Sequence, residues 1–111
     1  MRKIGTIVKV KRGHKIPGLN IDMTGWRGRI IDRKTDRIMG LFYVVEWDSK
    51  TLNNIGFKTI YRMHKHGIDW TKDFFTRGSI VKADERDTVE DVHEEVTLLK
   101  ELIKNKDERL A

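Results

Sequence analysis

With 111 residues and no cysteine, the chain is long enough for one buried core but has no disulfide or thiolate metal site to staple it. Its 23 basic and 17 acidic residues leave a formal charge of +6, and no apolar run approaches the ~20 residues that a membrane-spanning helix needs. The charge is unevenly divided: residues 1–84 hold 18 Lys and Arg against 8 Asp and Glu, whereas residues 85–111 hold 5 against 9.

A basic body with an acidic tail points to polyanionic partners, the plainer alternative being that the cations only keep a small domain soluble. Cations at Arg2 and Lys3, followed by Lys9, Lys11 and Arg12, leave no apolar stretch for a signal peptide. A cytoplasmic protein with no membrane partner is therefore expected.

The first element is a strand from Thr6 to Lys11, because β-branched residues alternate there with lysines. Ile4, Thr6, Val8 and Val10 are expected to face inward, Lys9 and Lys11 outward. From Arg12 to Gly25 the only proline, Pro17, stands with Gly13, Gly18, Asn20, Asp22 and Gly25, which predicts a long irregular loop. Trp26 to Asp32 reads as a second strand, with Arg27 and Arg29 pointing the same way. The polar run Arg33 to Arg37 predicts the hairpin turn. Ile38 to Trp47 is the most apolar strand, with Gly40 as a candidate bulge and apolar residues on both faces.

Phe57, Ile60, Tyr61 and His64 then follow helical spacing, and Gly67 is placed to end a short amphipathic helix. Phe74 to Ala83 returns to strand composition and is broken at Arg77-Gly78-Ser79, predicting two short strands. The segment from Asp87 to about Lys104 is the clearest helix. Asp87 and Glu90 have capping-box spacing, acids lead and Lys100, Lys104 and Lys106 come late, as the helix dipole favours. Val89, Val92, Val96, Leu99 and Ile103 form its apolar stripe, widened by Leu98 and Leu102.

This order of strand, long loop, strand, tight turn, strand, helical insertion and final strands resembles the SH3-like small barrels. Within it, Gly25-Trp26-Arg27-Gly28-Arg29-Ile30-Ile31-Asp32 is similar to the KOW-type motif of ribosomal proteins and transcription elongation factors, in which a glycine-centred turn leads into a strand. The segments Ile16-Pro17-Gly18 and Glu46 to Leu52 resemble parts of small bacterial proteins. The resemblance implies a KOW/Tudor-type SH3-like small barrel of about five strands over 1–84; with the helical patterns added, the expected fold is mostly β with helices, an insertion near 51–66 and an acidic amphipathic helix over 85–111. The insertion and the acidic helix depart from the motif's usual setting.

The residues of catalysis are poorly represented. Ser49 and Ser79 are the only serines and neither sits in a Gly-x-Ser-x-Gly turn, and nucleotide-binding glycine motifs are absent. His14, His64 and His66 lack zinc-ligand spacing, and Asp22, Asp32, Asp36 and Asp48 do not form a calcium loop. Glu94 and Glu95 fall on a solvated helix face. A non-enzymatic binding module without metal or cofactor is expected.

Two partner classes remain. Lys9, Lys11, Arg12, Lys15, Arg27 and Arg29 are the candidate nucleic-acid contacts, supplying the phosphate-neutralising charge for RNA or single-stranded DNA. The aromatic residues are mostly needed for the core. The alternative is a protein-interaction or homodimerising module, in which Val89, Val92, Val96, Leu99 and Ile103 pair with another chain rather than packing back on their own.

Overall fold

The computed structural model describes residues 2–111. In chain order its elements are β1 (Ile7–Val10), β2 (Lys15–Ile16), β3 (Ile21–Asp22), β4 (Arg27–Asp36), β5 (Gly40–Trp47), α1 (Ser49–Ile55), α2 (Phe57–Lys65), β6 (Lys72–Thr76), a 3-10 turn at Arg77–Ser79, β7 (Ile80–Lys82) and α3 (Val89–Leu110). The architecture is mixed α/β, not mostly β, because the three α-helices hold about as many residues as the strands. No helix among the described residues is long and apolar enough to cross a membrane.

The alternation in the first strand holds for Val8 and Val10, which are buried, and Lys9, which is exposed. Ile4 precedes the paired region and is exposed rather than inward-facing. Strand β1 lies between two antiparallel neighbours, β4 through Val8↔Gly28 and β7 through Val8↔Lys82. The five-stranded sheet has the order β6-β5-β4-β1-β7, beside a two-stranded β2-β3 pair. Gly28 is required by packing, since a side-chain carbon there would run into the Glu46 carbonyl of β5.

Several boundaries differ from the sequence reading, each for a local reason. The polar run Arg33 to Arg37 is not the turn: β4 continues to Asp36 and the chain reverses at residues 37–39. The Asp36 carboxylate accepts the backbone N–H of Ile38 at 2.7 Å and of Met39 at 3.0 Å, which nucleates the reversal one step later. The irregularity in this hairpin falls between Ile30 and Asp32 on β4, not at Gly40. The loop from Arg12 to Gly25 is partly regular, because β2 and β3 pair and sink Ile16, Leu19 and Met23 into the core.

The insertion is two helices broken at Gly56. Its φ of 83° is open to glycine at little cost, and its N–H reaches Leu52 while its carbonyl accepts from Ile60, ending α1 and starting α2. The terminal helix starts one residue later than Asp87 allows: Thr88 is the cap, with Asp91 as its reciprocal partner, and the helix runs on to Leu110. Asp87 instead accepts from the Ser49 backbone N–H and hydroxyl at the start of α1.

Trp47, Tyr43, Ile30, Leu52, Ile60 and Met63 are almost fully enclosed and anchor the core. Trp47 stands edge-to-face with Trp26 at 5.2 Å and with Phe75 at 5.7 Å. Leu99 and Ile103 of α3 belong to the same buried cluster, with Val96 packed against it. The terminal helix therefore completes the core that residues 1–84 begin.

A chain ending at Asp84 is accordingly expected to lose cooperative thermal unfolding by circular dichroism. Leu99→Ala in the full chain is expected to cost about 2–5 kcal/mol in urea denaturation, through lost burial and the cavity left behind. A truncated chain that still melts cooperatively would show that α3 only decorates the fold.

Candidate nucleic-acid interface

The six cations expected to form one strip are divided by the fold. Lys9 of β1 and Arg27 of β4 are cross-strand partners, so both side chains leave the same face of the sheet. They line an open depression with Lys82, Ala83 and Asp84. Lys11 and Arg12 follow in the exposed turn after β1. Lys15 stands apart on β2, where its Nζ donates to Asn20 at 3.1 Å and faces its cross-strand partner Asp22.

The two arginines are drawn into the chain's own architecture. Arg27 donates from Nη1 to the Asp84 carbonyl at 3.1 Å, while its Nε is buried without a hydrogen-bond partner. Arg29 lies 3.5 Å from the Glu85 carboxylate and opposite Glu46 on β5. The acidic segment between β7 and α3 thus crosses the face from which Arg27 and Arg29 project, a placement that alternation along β4 could not reveal.

That segment is held by Asp48. Its side chain is only 8% exposed and lies 2.8 Å from Arg86, which grips both carboxylate oxygens through Nε and Nη2. Burial pushes the Asp48 carboxyl up, but hydrogen bonds from Arg86 and from the Thr51 N–H outweigh it and hold the group below the ordinary carboxylate range. The Thr51 hydroxyl donates to the Arg27 carbonyl, and its oxygen accepts from Arg86 and from the Arg27 N–H.

The interaction helix is divided as well. Val92, Leu99 and Ile103 are buried within the chain and Val96 is half-buried, whereas Val89, Leu98 and Leu102 remain exposed. The end of α3 is pinned to α2 by Asp107, which accepts from the Tyr61 hydroxyl and lies 3.1 Å from His64 and 3.6 Å from Lys65. The Tyr61 hydrogen bond, followed by that of His64, lowers the Asp107 carboxyl against a smaller effect of burial.

The remaining candidates from the sequence have separate neighbours. His66 contacts the Arg62 carbonyl at 2.8 Å and His14 stands edge-on to Phe75. Asp22 accepts from Thr24, and Asp32 from the Arg33 N–H. Among the described residues, no three histidines or acids converge as metal ligands.

The sequence reading missed Lys82, which lines the same depression as Lys9 and Arg27 although its cross-strand partner is Val8, and Phe74, which is 56% exposed whereas the aromatic residues are expected in the core. The alternation Phe74-Phe75 on an edge strand was the available signal: one ring of such a pair must face away from the core. Comparison with protein-family models, curated proteins and solved structures found no match to this chain.

Because Asp48 titrates low when folded, its stabilisation is complete above its unfolded pKa, near 4, and is lost as pH falls through the folded value. Asp48→Asn is expected to lower stability by roughly 3 kcal/mol at neutral pH, since it leaves Arg86 without its charge partner. Urea midpoints of the two proteins should converge as the pH is taken below about 4. A gap that does not change with pH would remove the ion pair as its cause.

Proposed function

We propose that the chain is a non-enzymatic binding module that holds RNA or single-stranded DNA with little sequence preference. The observation that carries this reading is a group of exposed cations, Lys9, Lys11, Arg12 and Lys82, on adjacent strands and the turn beyond β1. Phosphate neutralisation needs only such a cluster, and it tolerates any base sequence. The exposed cations named here lie on strands and a turn rather than on a helix, which favours single strands over the duplex major groove. Arg27 and Arg29 contribute at the margin of this face, because part of their charge already serves the β7–α3 segment.

We read the five-stranded sheet as an SH3-like barrel. Support comes from the strand order, in which β1 joins β4 to β7, and from the folded loop between β1 and β4 that carries β2 and β3. A cytoplasmic location accords with the absence of cysteine and the basic surface.

The reading is tested by fluorescence anisotropy with a labelled oligonucleotide at low salt. Native protein is expected to bind at about micromolar affinity, with log K falling against log salt at a slope of roughly −2 to −3 for three or four phosphate contacts. The Lys11→Glu, Arg12→Glu variant should lose at least about tenfold. Absence of binding by the native chain, or equal binding by the variant, would sink the proposal.

A second reading, homodimerisation or docking on a protein, draws on Leu98 and Leu102, which stay exposed one turn apart on α3. Val92, Leu99 and Ile103 of the same stripe are buried within the chain, and Val89 is exposed. Light scattering at high micromolar concentration separates the readings: a monomer is expected, and a stable dimer would favour the helix.

A further inference from the structure

A cleft of about 320 Å³ runs along the exposed edge of β6, away from the cations of β1 and β7. His14, Pro17, Met39, Phe42, Phe74 and Phe75 supply its apolar walls. Phe42 of β5 and Phe74 of β6 stand edge-to-face at 5.6 Å, and Phe74 is more than half exposed. On the other wall His14 meets Phe75 edge-on at 6.0 Å. Met39, at the tip of the β4–β5 hairpin, is an exposed member of the lining, and its neighbour Ile38 is exposed too. Exposed rings at an open cleft offer a face on which a flat, apolar group can stack.

Charge decides which ligand brings that group. Lys15 lines the cleft, the Lys11 N–H donates to the carbonyl of another lining residue, Ser79, and Arg77 sits in the turn between Thr76 and Ser79. On the far side Lys34 is the cross-strand partner of Phe42. Asp73 is the acid among the lining residues. Lys15 in the lining and Lys11, Lys34 and Arg77 on the adjoining segments outnumber Asp73 and match a ligand that alternates anionic phosphates with aromatic bases.

We propose that this cleft is the base-stacking subsite of a single-stranded nucleic acid, with Phe74 as the principal platform, Phe42 bracing it edge-on and Lys11, Lys15 and Arg77 tracking the phosphates. Lys11 joins this cleft to the cations of β1, so one strand passes from the charged face to the aromatic edge. The inference rests on the nucleic-acid reading above but adds a recognition element of its own. It requires unstacked bases, whereas the charged face alone requires only phosphates.

The two are separated by comparing two labelled probes of equal charge and about twelve units: oligothymidylate, and an abasic strand carrying the same phosphates. At fixed low salt the native chain is expected to prefer oligothymidylate by about tenfold or more. Phe74→Ala should bind the two strands alike while keeping native affinity for the abasic one, and Phe74→Tyr should retain the preference. Since Phe74 is largely exposed, these variants are expected to fold, and their thermal unfolding is compared with that of the native chain. Equal binding of both probes by the native protein overturns the stacking subsite and leaves the charged face standing. Binding of neither overturns both, and a Phe74→Ala variant that keeps the preference removes Phe74 as the platform.

Discussion

The ion pair between the buried Asp48 and the half-buried Arg86 fixes the geometry on which the rest depends. A carboxylate withdrawn from water is costly unless nearly all its lone pairs are matched. Here Arg86 supplies a two-pronged partner and the Thr51 N–H supplies a third donor. Asp48 also caps α1 and donates its own N–H to the Arg27 carbonyl of β4. One side chain thus sets the angle at which the sheet hands over to the helices. It also sets where the returning chain must pass before α3 begins. The adjacent bonds from Ser49 to Asp87 repeat the connection one residue further on.

This connection divides the basic charge of the molecule into two kinds. Cations close to the crossing segment, Arg27 and Arg29, act inside the fold, tying the sheet to an acidic stretch of the same chain. Cations at the end of β1, in its turn and on β7 have solvent in front of them. Acidic residues after Ala83 therefore have a structural use that overall charge conceals: they neutralise the centre of the sheet and leave its margins positive. The net charge of +6 understates how basic those margins are.

Much of the fold was legible because period-two and helical patterns report burial directly. Val8 and Val10, the apolar strand to Trp47, the break at Arg77–Ser79 and the terminal helix all follow from local alternation. What was illegible depends on partners distant in sequence. Asp87 has the spacing of a cap for its own helix, yet a neighbour 38 residues away claims it. The run from Arg33 to Asp36 looks like a turn by composition, but pairing with β5 extends it as strand. The candidate cations were nameable as residue types. Which of them face solvent was decided by the segment from Asp84 to Arg86, and nothing local to Arg27 or Arg29 announces it.

The position of β1 in the sheet has a consequence for how the molecule assembles. The β4–β5 hairpin and α1 with α2 close through neighbouring residues and need little of the chain. β1 instead has one partner, β4, some twenty residues on, and another, β7, more than seventy residues on. Each closure of that length costs loop entropy before any contact offsets it. Before β7 and the Arg86 anchor are in place, β1 has a strand partner on one side only. Its other side, at Ile7, Val8 and Val10, is then an open, β-branched edge. Lys9 and Lys11, set between and beyond them, are the charges that discourage that edge from pairing with another nascent chain.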